Sequence, residues 1–201
     1  MARKKRIWYP GAVYHLMSRG NRHQEIFREP SDYEFFLTLL RDVEKRYPFD
    51  IHSYCLMTNH FHFLMETKDV EIWRIMKRLQ EVYSGYFNSK YGLDGHLFQG
   101  RYKSCLVEDD AYFLQISRYI HLNPVKAGMV AYPEDYRWSS YQALICMDER
   151  PLVTTEKVWS YFARPENVAY RLFVEENSLN TEVYEKEIRT GIGEDETWLP
   201  W

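Results

Sequence analysis

The chain has 201 residues, a formal net charge of −3 and 45% hydrophobic residues, a composition typical of a globular protein large enough to bury a core. Its three cysteines, Cys55, Cys105 and Cys146, lie far apart without a C-x-x-C pair, which argues against a disulfide framework and a cysteine zinc site. No apolar run approaches the roughly 18 residues of a membrane span, so we predict a cytoplasmic protein without membrane contact.

The first two-thirds of the chain predicts a β-α-β-β-α-β order. Residues 12–18 alternate as a strand, Ser31 and Glu34 have the spacing of a capping box for a first helix, and Pro48 predicts its end. Residues 49–57 and 60–66 predict an antiparallel hairpin. Asp69 predicts the cap of a second helix, which a strand at 102–107 follows. We therefore expect an α+β, ferredoxin-like antiparallel sheet with both helices on one face and the other face free.

A third helix is predicted at about residues 109–123, where Pro124 is expected to end it. Tyr119 and Asn123 are four residues apart, so they share one face of this helix. Shorter elements follow, including a helix at 166–175. We predict a catalytic domain at residues 1–132, which includes the third helix, and a C-terminal extension at residues 133–201 with an acidic tail.

Two histidines stand one residue apart on the third predicted strand. Because side chains alternate along a strand, His60 and His62 point to one face, while Phe61 and Phe63 point to the other. Imidazoles bind divalent metals, but two ligands make an incomplete site. Ordinary half-buried strand histidines therefore remain the alternative at this point.

Four segments together resemble the single-tyrosine HUH transposases (transposase IS200-like), most nearly the REP-associated tyrosine transposases. They are YHLMSRGN at residues 14–21, HFH at 60–62, GHLFQGRY at 95–102 and RYIHLNP at 118–124. The resemblance covers roughly residues 10–141. It implies a transposase that cleaves and transfers single-stranded DNA, often at a hairpin with a flanking guide sequence.

The resemblance also implies roles for individual residues. Tyr119 corresponds to the nucleophile, which forms a 5′-phosphotyrosine and releases a 3′-OH. His60 and His62 correspond to ligands of a divalent metal, Mg²⁺ or Mn²⁺. Asn123 corresponds to the third ligand, for which relatives often carry glutamine. Without the resemblance, Tyr119 reads as a core tyrosine, Asn123 as a helix terminator and His15 as structural.

DNA contacts are predicted from polar residues near these segments, although a solvated surface is an equal explanation for each one. They are Arg19, Asn21, Arg22, Arg101, Lys103 and Arg118. Residues 175–201 carry 8 acidic and 2 basic side chains, and we expect this tail to cover the site or to compete with DNA. The protein is expected to be a monomer or homodimer.

Two other functions remain open. A replication-initiator or relaxase type nickase shares the histidine pair and the tyrosine, but it is expected to come with helicase or mobilisation regions, for which 201 residues leave no room. A non-catalytic nucleic-acid-binding module could use the same sheet in the manner of an RRM. Such a module has no need for a histidine pair facing a helical tyrosine.

Overall fold

The computed structural model describes residues 7–146 and 152–176, together with residues 186, 188 and 190. Four strands form an antiparallel sheet in the order β2-β3-β1-β4, with β1 at Val13–Arg19, β2 at Phe49–Leu56, β3 at His60–Thr67 and β4 at Lys103–Val107. Helix α1 (Pro30–Arg46) connects β1 to β2, and helix α2 (Ile72–Tyr91) connects β3 to β4. The predicted α+β, ferredoxin-like arrangement is confirmed.

The first core lies between one face of the sheet and helices α1 and α2. Phe36 of α1 stands at its centre, with its ring centroid 5.1 Å from Phe61 and 4.8 Å from Tyr83 of α2. Phe61 and Phe63 point into this core, as the alternation along β3 requires. The histidines between and beside them therefore point to the opposite face.

The opposite face of the sheet is covered as well, so the expectation of a free face was wrong. Helix α3 (Asp110–Lys126) packs on it, and so do the helices of the C-terminal extension, which are α4 (Tyr141–Ile145), α5 (Glu156–Trp159) and α6 (Glu166–Glu175). Leu64 of β3, Ile116 of α3 and Tyr170 of α6 are all buried in this second core. The sheet is thus sandwiched between two apolar layers.

The N-termini of two helices differ from the predicted signals. Helix α1 uses Glu29 as its N-cap and Asp32 as the reciprocal partner, rather than Ser31 and Glu34, because Pro30 occupies the first helical position. Helix α2 starts after Glu71, and Asp69 lies before its N-cap. Both helices still pack on one face of the sheet, as predicted.

Helix α3 passes through Pro124 instead of ending before it. A proline removes one backbone donor, but this one stands in the last turn, where little helix remains to be disrupted. The Ala127 amide still donates to the carbonyl of Asn123 at 2.9 Å, and Gly128 follows with a positive φ of 66°. Asn123 is therefore a residue within the helix and does not terminate it.

The extension also protects the outer edge of β2. The amide of Leu56 donates to Trp138, that of Ser140 to Tyr54 and that of Thr154 to Ile51, at 2.8–3.0 Å. Pairing of this kind satisfies an edge strand that would otherwise be open to other chains. The acidic tail lies mostly outside the described residues, and the boundary at residues 132 and 133 stays a prediction. None of the described helices is both long and apolar enough to span a membrane.

A buried chain of hydrogen bonds joins α3 to the extension and to β2. His121 Nε2 is 2.8 Å from Ser140 Oγ, and His121 Nδ1 is 2.7 Å from the Tyr170 hydroxyl. Ser117 Oγ lies 2.6 Å from the same hydroxyl and 2.6 Å from Ser53 Oγ. Burial lowers the pKa of His121 to about 3, so it is a neutral imidazole that donates through one nitrogen and accepts through the other.

Tyr170→Phe is expected to lower the free energy of unfolding by about 1–3 kcal/mol, because the buried Nδ1 of His121 loses its hydrogen-bond partner. Urea unfolding measures this loss. Tyr132→Phe is the matched control, since Tyr132 is 62% exposed and should show no change. Equal stability of the two variants would contradict a structural role for the hydrogen-bond chain.

Candidate active site

The two predicted ligand histidines lie at one end of the sheet. Strand β1 ends at Arg19, directly opposite His60, where β3 begins. His62 stands opposite Met17 of β1 and Cys55 of β2, on the face that α3 covers. The imidazole centroids of His60 and His62 are 5.1 Å apart with perpendicular rings. Alternation on β3 therefore places both side chains on one face, as the sequence predicted.

Helix α3 brings Tyr119 onto the same face. The ring centroid of Tyr119 lies 5.6 Å from that of His62 in an edge-to-face arrangement, and Tyr119 is buried. Asn123 follows one turn later, and its side-chain Nδ2 donates to the Tyr119 carbonyl at 2.9 Å. The ammonium of Lys126 lies 5.6 Å from the centre of the Tyr119 ring. The helix thus carries the tyrosine and the amide on the side that faces β3.

His15 belongs to this cluster, although the sequence predicted only a structural role for it. Its Nε2 is 3.0 Å from His62 Nδ1, and its ring centroid is 5.2 Å from His62 and 6.0 Å from Tyr119. Strand alternation places His15 on the same face of β1 as Arg19. The pairing of Met17 with His62 then brings His15 diagonally next to His62. That register was not readable from β1 alone.

All three histidines of the cluster are neutral at pH 7. Burial lowers the pKa of His15 to about 3. Burial, aided by the nearby Arg19 guanidinium, lowers the pKa of His60 to about 4. Burial, with smaller effects of His60 and His15, holds the pKa of His62 well below its usual range. Neutral imidazole is the form that binds metal ions.

The candidate ligands His60 and His62 are compatible with a divalent cation only if the side-chain amide of Asn123 takes part. No group of three or more His, Cys, Asp or Glu side chains in the described part of the chain could hold a metal ion. The amide oxygen of Asn123, one turn after Tyr119 on α3, would add oxygen to the two imidazole nitrogens, and such a mixed set suits cations such as Mn²⁺ or Mg²⁺ with further positions open.

Five of the six predicted DNA-contact residues lie near this end of the sheet. Lys103 begins β4 opposite Met17, and Asn21 and the exposed Arg22 follow β1 directly. Arg101 is exposed just before β4. Arg19 is mostly buried, and its Nη2 and Nε atoms donate to Gln99 Oε1 at 2.7 and 3.1 Å. These two hydrogen bonds fix the loop before β4 against the end of β1.

Arg118 lies elsewhere, and its placement does not support the predicted DNA contact. The side chain is buried, its Nε donates to the Val174 carbonyl at 3.1 Å, and Nη2 donates to the Glu176 carbonyl. Its guanidinium also lies over the ring of Phe173. Arg118 thus satisfies carbonyl groups at the end of α6, since it occupies the side of α3 that faces the extension.

The class of this protein is that of the transposases, which are DNA-processing enzymes. The chain belongs to the family described as "Transposase IS200 like", whose model matches residues 9–123, more than half of the sequence. The matched region contains His60, His62, Tyr119 and Asn123. DNA binding and DNA transposition are the activities of this class.

A solved structure shows the same fold. The structure of a REP-associated tyrosine transposase bound to a REP hairpin has a TM-score of 0.62 at 19% identity, over 77% of this chain and 90% of that chain. A second structure, described as a candidate transposase from Deinococcus radiodurans R1, has a TM-score of 0.40 at 22% identity, over 59% of this chain and 95% of that chain. The second similarity is too low to support an argument. No curated protein matches the chain.

The buried neutral histidines predict acid lability of the metal-free protein. An unfolded histidine has a pKa near 6.5, whereas His15 and His60 have folded values of about 3 and 4. Unfolding therefore takes up protons below pH 6.5, and stability that is complete above this pH falls as the pH is lowered toward 4.

Each such histidine adds about 1.4 kcal/mol per pH unit to the slope of the unfolding free energy. Urea unfolding with a chelator present, between pH 7 and 4.5, measures this slope. His60→Gln should make it shallower. A stability that is independent of pH over this range would contradict the neutral, buried state.

Proposed function

We propose that this chain cleaves single-stranded DNA and transfers the cut strand, with Tyr119 as the nucleophile. The observation that supports this best is the packing of the Tyr119 ring against His62, with centroids 5.6 Å apart, while Asn123 follows one turn later on the same helix. A tyrosine in a core needs apolar neighbours for its ring and a hydrogen-bond partner for its hydroxyl. One that faces two adjacent neutral histidines stands where a phosphate could meet a nucleophile and charge-stabilising groups together.

The reaction is a displacement at phosphorus. The phenol oxygen of Tyr119 attacks the scissile phosphate, the bond between phosphorus and the 3′ oxygen breaks, and that oxygen takes up a proton. The products are a 5′-phosphotyrosine and a free 3′-OH. Because the phosphoester bond is exchanged and not hydrolysed, attack by this or another 3′-OH reverses the step and joins strands without an external energy source.

His60, His62 and Asn123 would hold the divalent cation, Mg²⁺ or Mn²⁺. When bound, the cation neutralises charge on the phosphate oxygens and favours ionisation of the phenol, whose pKa is ordinarily near 10. The chain itself keeps both imidazoles uncharged by burial, as their lowered pKa values show. The Asn123 side chain is tied by its Nδ2 to the same helical turn as Tyr119, so the nucleophile and the amide are positioned together.

The proposed substrate is a single-stranded DNA hairpin with a flanking guide sequence. The structural neighbour with a TM-score of 0.62 is bound to a REP hairpin. In this chain, Arg22 and Arg101 are exposed beside the end of the sheet where His60 begins β3. Cations there can contact phosphates of a strand that reaches Tyr119. The proposed oligomeric state is a monomer or homodimer.

A non-catalytic module of the RRM type is less well supported. Such a module stacks bases on an open sheet face. In the described part of this chain, α1 and α2 cover one face, and α3 with the extension covers the other. Bases could not reach the centre of the sheet without displacing a core.

Tyr119→Phe should abolish a covalent adduct that the wild-type protein forms with single-stranded oligonucleotides from the flanks of its own gene in Mn²⁺ or Mg²⁺. The adduct is read on a denaturing gel, and His60→Ala should also lose it. Tyr112→Phe is the matched control, because Tyr112 lies on α3 seven residues earlier and should retain the adduct.

Cleavage that survives in Tyr119→Phe would assign the nucleophile to another residue. The absence of any adduct across the flanking sequences would contradict the proposed enzyme. Transfer of the bound strand to a second oligonucleotide is the further product expected of a transposase, whereas a nickase would stop at the adduct.

Arg22→Ala and Arg101→Ala should each weaken single-strand binding and reduce the dependence of log K on log salt by about 0.7, the value for one lost phosphate contact. Fluorescence anisotropy with a labelled oligonucleotide at several salt concentrations measures both. Arg41→Ala is the control, because Arg41 is exposed on α1, on the opposite side of the sheet. Arg118→Ala should lower folding stability and leave the salt dependence unchanged.

A further inference from the structure

Asn59, the residue before β3, is held between two polar groups. Its Nδ2 is 3.2 Å from the His23 carbonyl oxygen, and its Oδ1 is 2.6 Å from His60 Nδ1. A backbone carbonyl only accepts hydrogen bonds, so the NH₂ group of the amide must face His23. The amide oxygen must then face His60.

This orientation determines the tautomer of His60. An amide oxygen has no proton to give, so the 2.6 Å contact requires a proton on His60 Nδ1. A cation binds neutral imidazole, and a neutral imidazole carries only one N–H. Nε2 of His60 is therefore left with a lone pair.

His15 stands in the corresponding position for His62. The contact from His15 Nε2 to His62 Nδ1 is 3.0 Å, both rings are fully buried, and a hydrogen bond between the two nitrogens needs one proton. Either ring could carry it. If His62 donates, the other proton of the pair lies on His15 Nδ1; if His15 donates, it lies on His62 Nε2, so the hydrogen bonds alone do not choose between the two. If His62 donates, it has the same tautomer as His60, with its Nε2 lone pair available.

We propose that Asn59 and His15 are positioning residues that accept hydrogen bonds from the Nδ1 atoms of His60 and His62, and so keep both Nε2 lone pairs available for a cation. The inference rests on the proposed metal-dependent function. It adds the two groups that fix the tautomer and ring orientation of the ligands. Metal-binding histidines generally donate their second N–H to such a partner, and loss of that partner weakens metal binding about 10–100-fold.

Nitrogen NMR of the histidine rings in metal-free wild-type protein tests the proposal without activity and without metal. Long-range proton-nitrogen spectra distinguish a protonated Nδ1 from a protonated Nε2. The expected result is a protonated Nδ1 and a bare Nε2 on both His60 and His62. A protonated Nε2 on either residue would overturn the assignment for its partner.

Asn59→Ala should populate the other tautomer of His60 and weaken Mn²⁺ binding about 10–100-fold, as measured by calorimetry. Asn59→Asp keeps an oxygen acceptor and should restore most of the affinity. Asn88→Ala is the matched control, because Asn88 Nδ2 also donates to a backbone carbonyl, that of Gly95, away from the site. Unchanged Mn²⁺ affinity in Asn59→Ala would contradict the role of Asn59.

His15→Phe preserves a ring but removes the acceptor, so it should weaken Mn²⁺ binding and mix the tautomers of His62. His15→Gln offers an amide oxygen in its place and should bind Mn²⁺ more tightly than His15→Phe. Equal affinity of His15→Phe and wild type would contradict the role of His15.

His60→Ala separates this inference from the proposed function. If wild type binds Mn²⁺ and His60→Ala binds it equally well, the metal site itself is wrong. If His60→Ala abolishes binding while Asn59→Ala and His15→Phe do not change it, the site stands and only the positioning roles fail.

Discussion

The candidate site depends on the packing of α3 across the histidine face of the sheet. Alternation along β3 directs Phe61 and Phe63 into one core and His60 and His62 toward the other side. Without a covering helix, those imidazoles would be solvated strand side chains. With α3 in place, they are buried next to Tyr119, and burial lowers the pKa of both. One packing contact therefore brings the proposed nucleophile to the ligands and also keeps the ligands neutral.

The C-terminal extension stabilises α3 from the side that faces away from the candidate site. Ser117 and His121 lie on the side of α3 away from the site, where they join the buried hydrogen bonds to Tyr170 and Ser140. Arg118 reaches the carbonyl end of α6 from the same side. Because these contacts are polar and directional, they favour one rotation of the helix about its axis, which apolar packing alone would specify less strictly. The rotation they favour is the one that turns Tyr119 toward His62.

Much of the candidate site could be predicted from the local sequence pattern. The two-residue period of a strand is sufficient to predict that the two histidines share a face. The period of a helix is sufficient to predict the same for Tyr119 and Asn123. His15, Asn59 and Gln99 were missed because their roles depend on strand register and on loops that meet in space. The predicted DNA contact of Arg118 is not supported because α6 covers that side of α3, and the local sequence pattern does not indicate which side α6 covers. Pro124 was read as a helix end because the local rule ignores how little helix remained after it.

Short-range periodicity in the sequence is sufficient to predict the order of strands and helices and the two faces of β3, and the sequence motifs indicate the family by resemblance. Only the folded chain shows that both faces of the sheet are buried, that His15 contacts His62 and that Arg118 is buried against α6. These features arise from contacts between residues distant in the chain, such as the 3.0 Å contact between His15 and His62. The local pattern is compatible with several environments for each of these side chains, and only contacts between distant residues distinguish them.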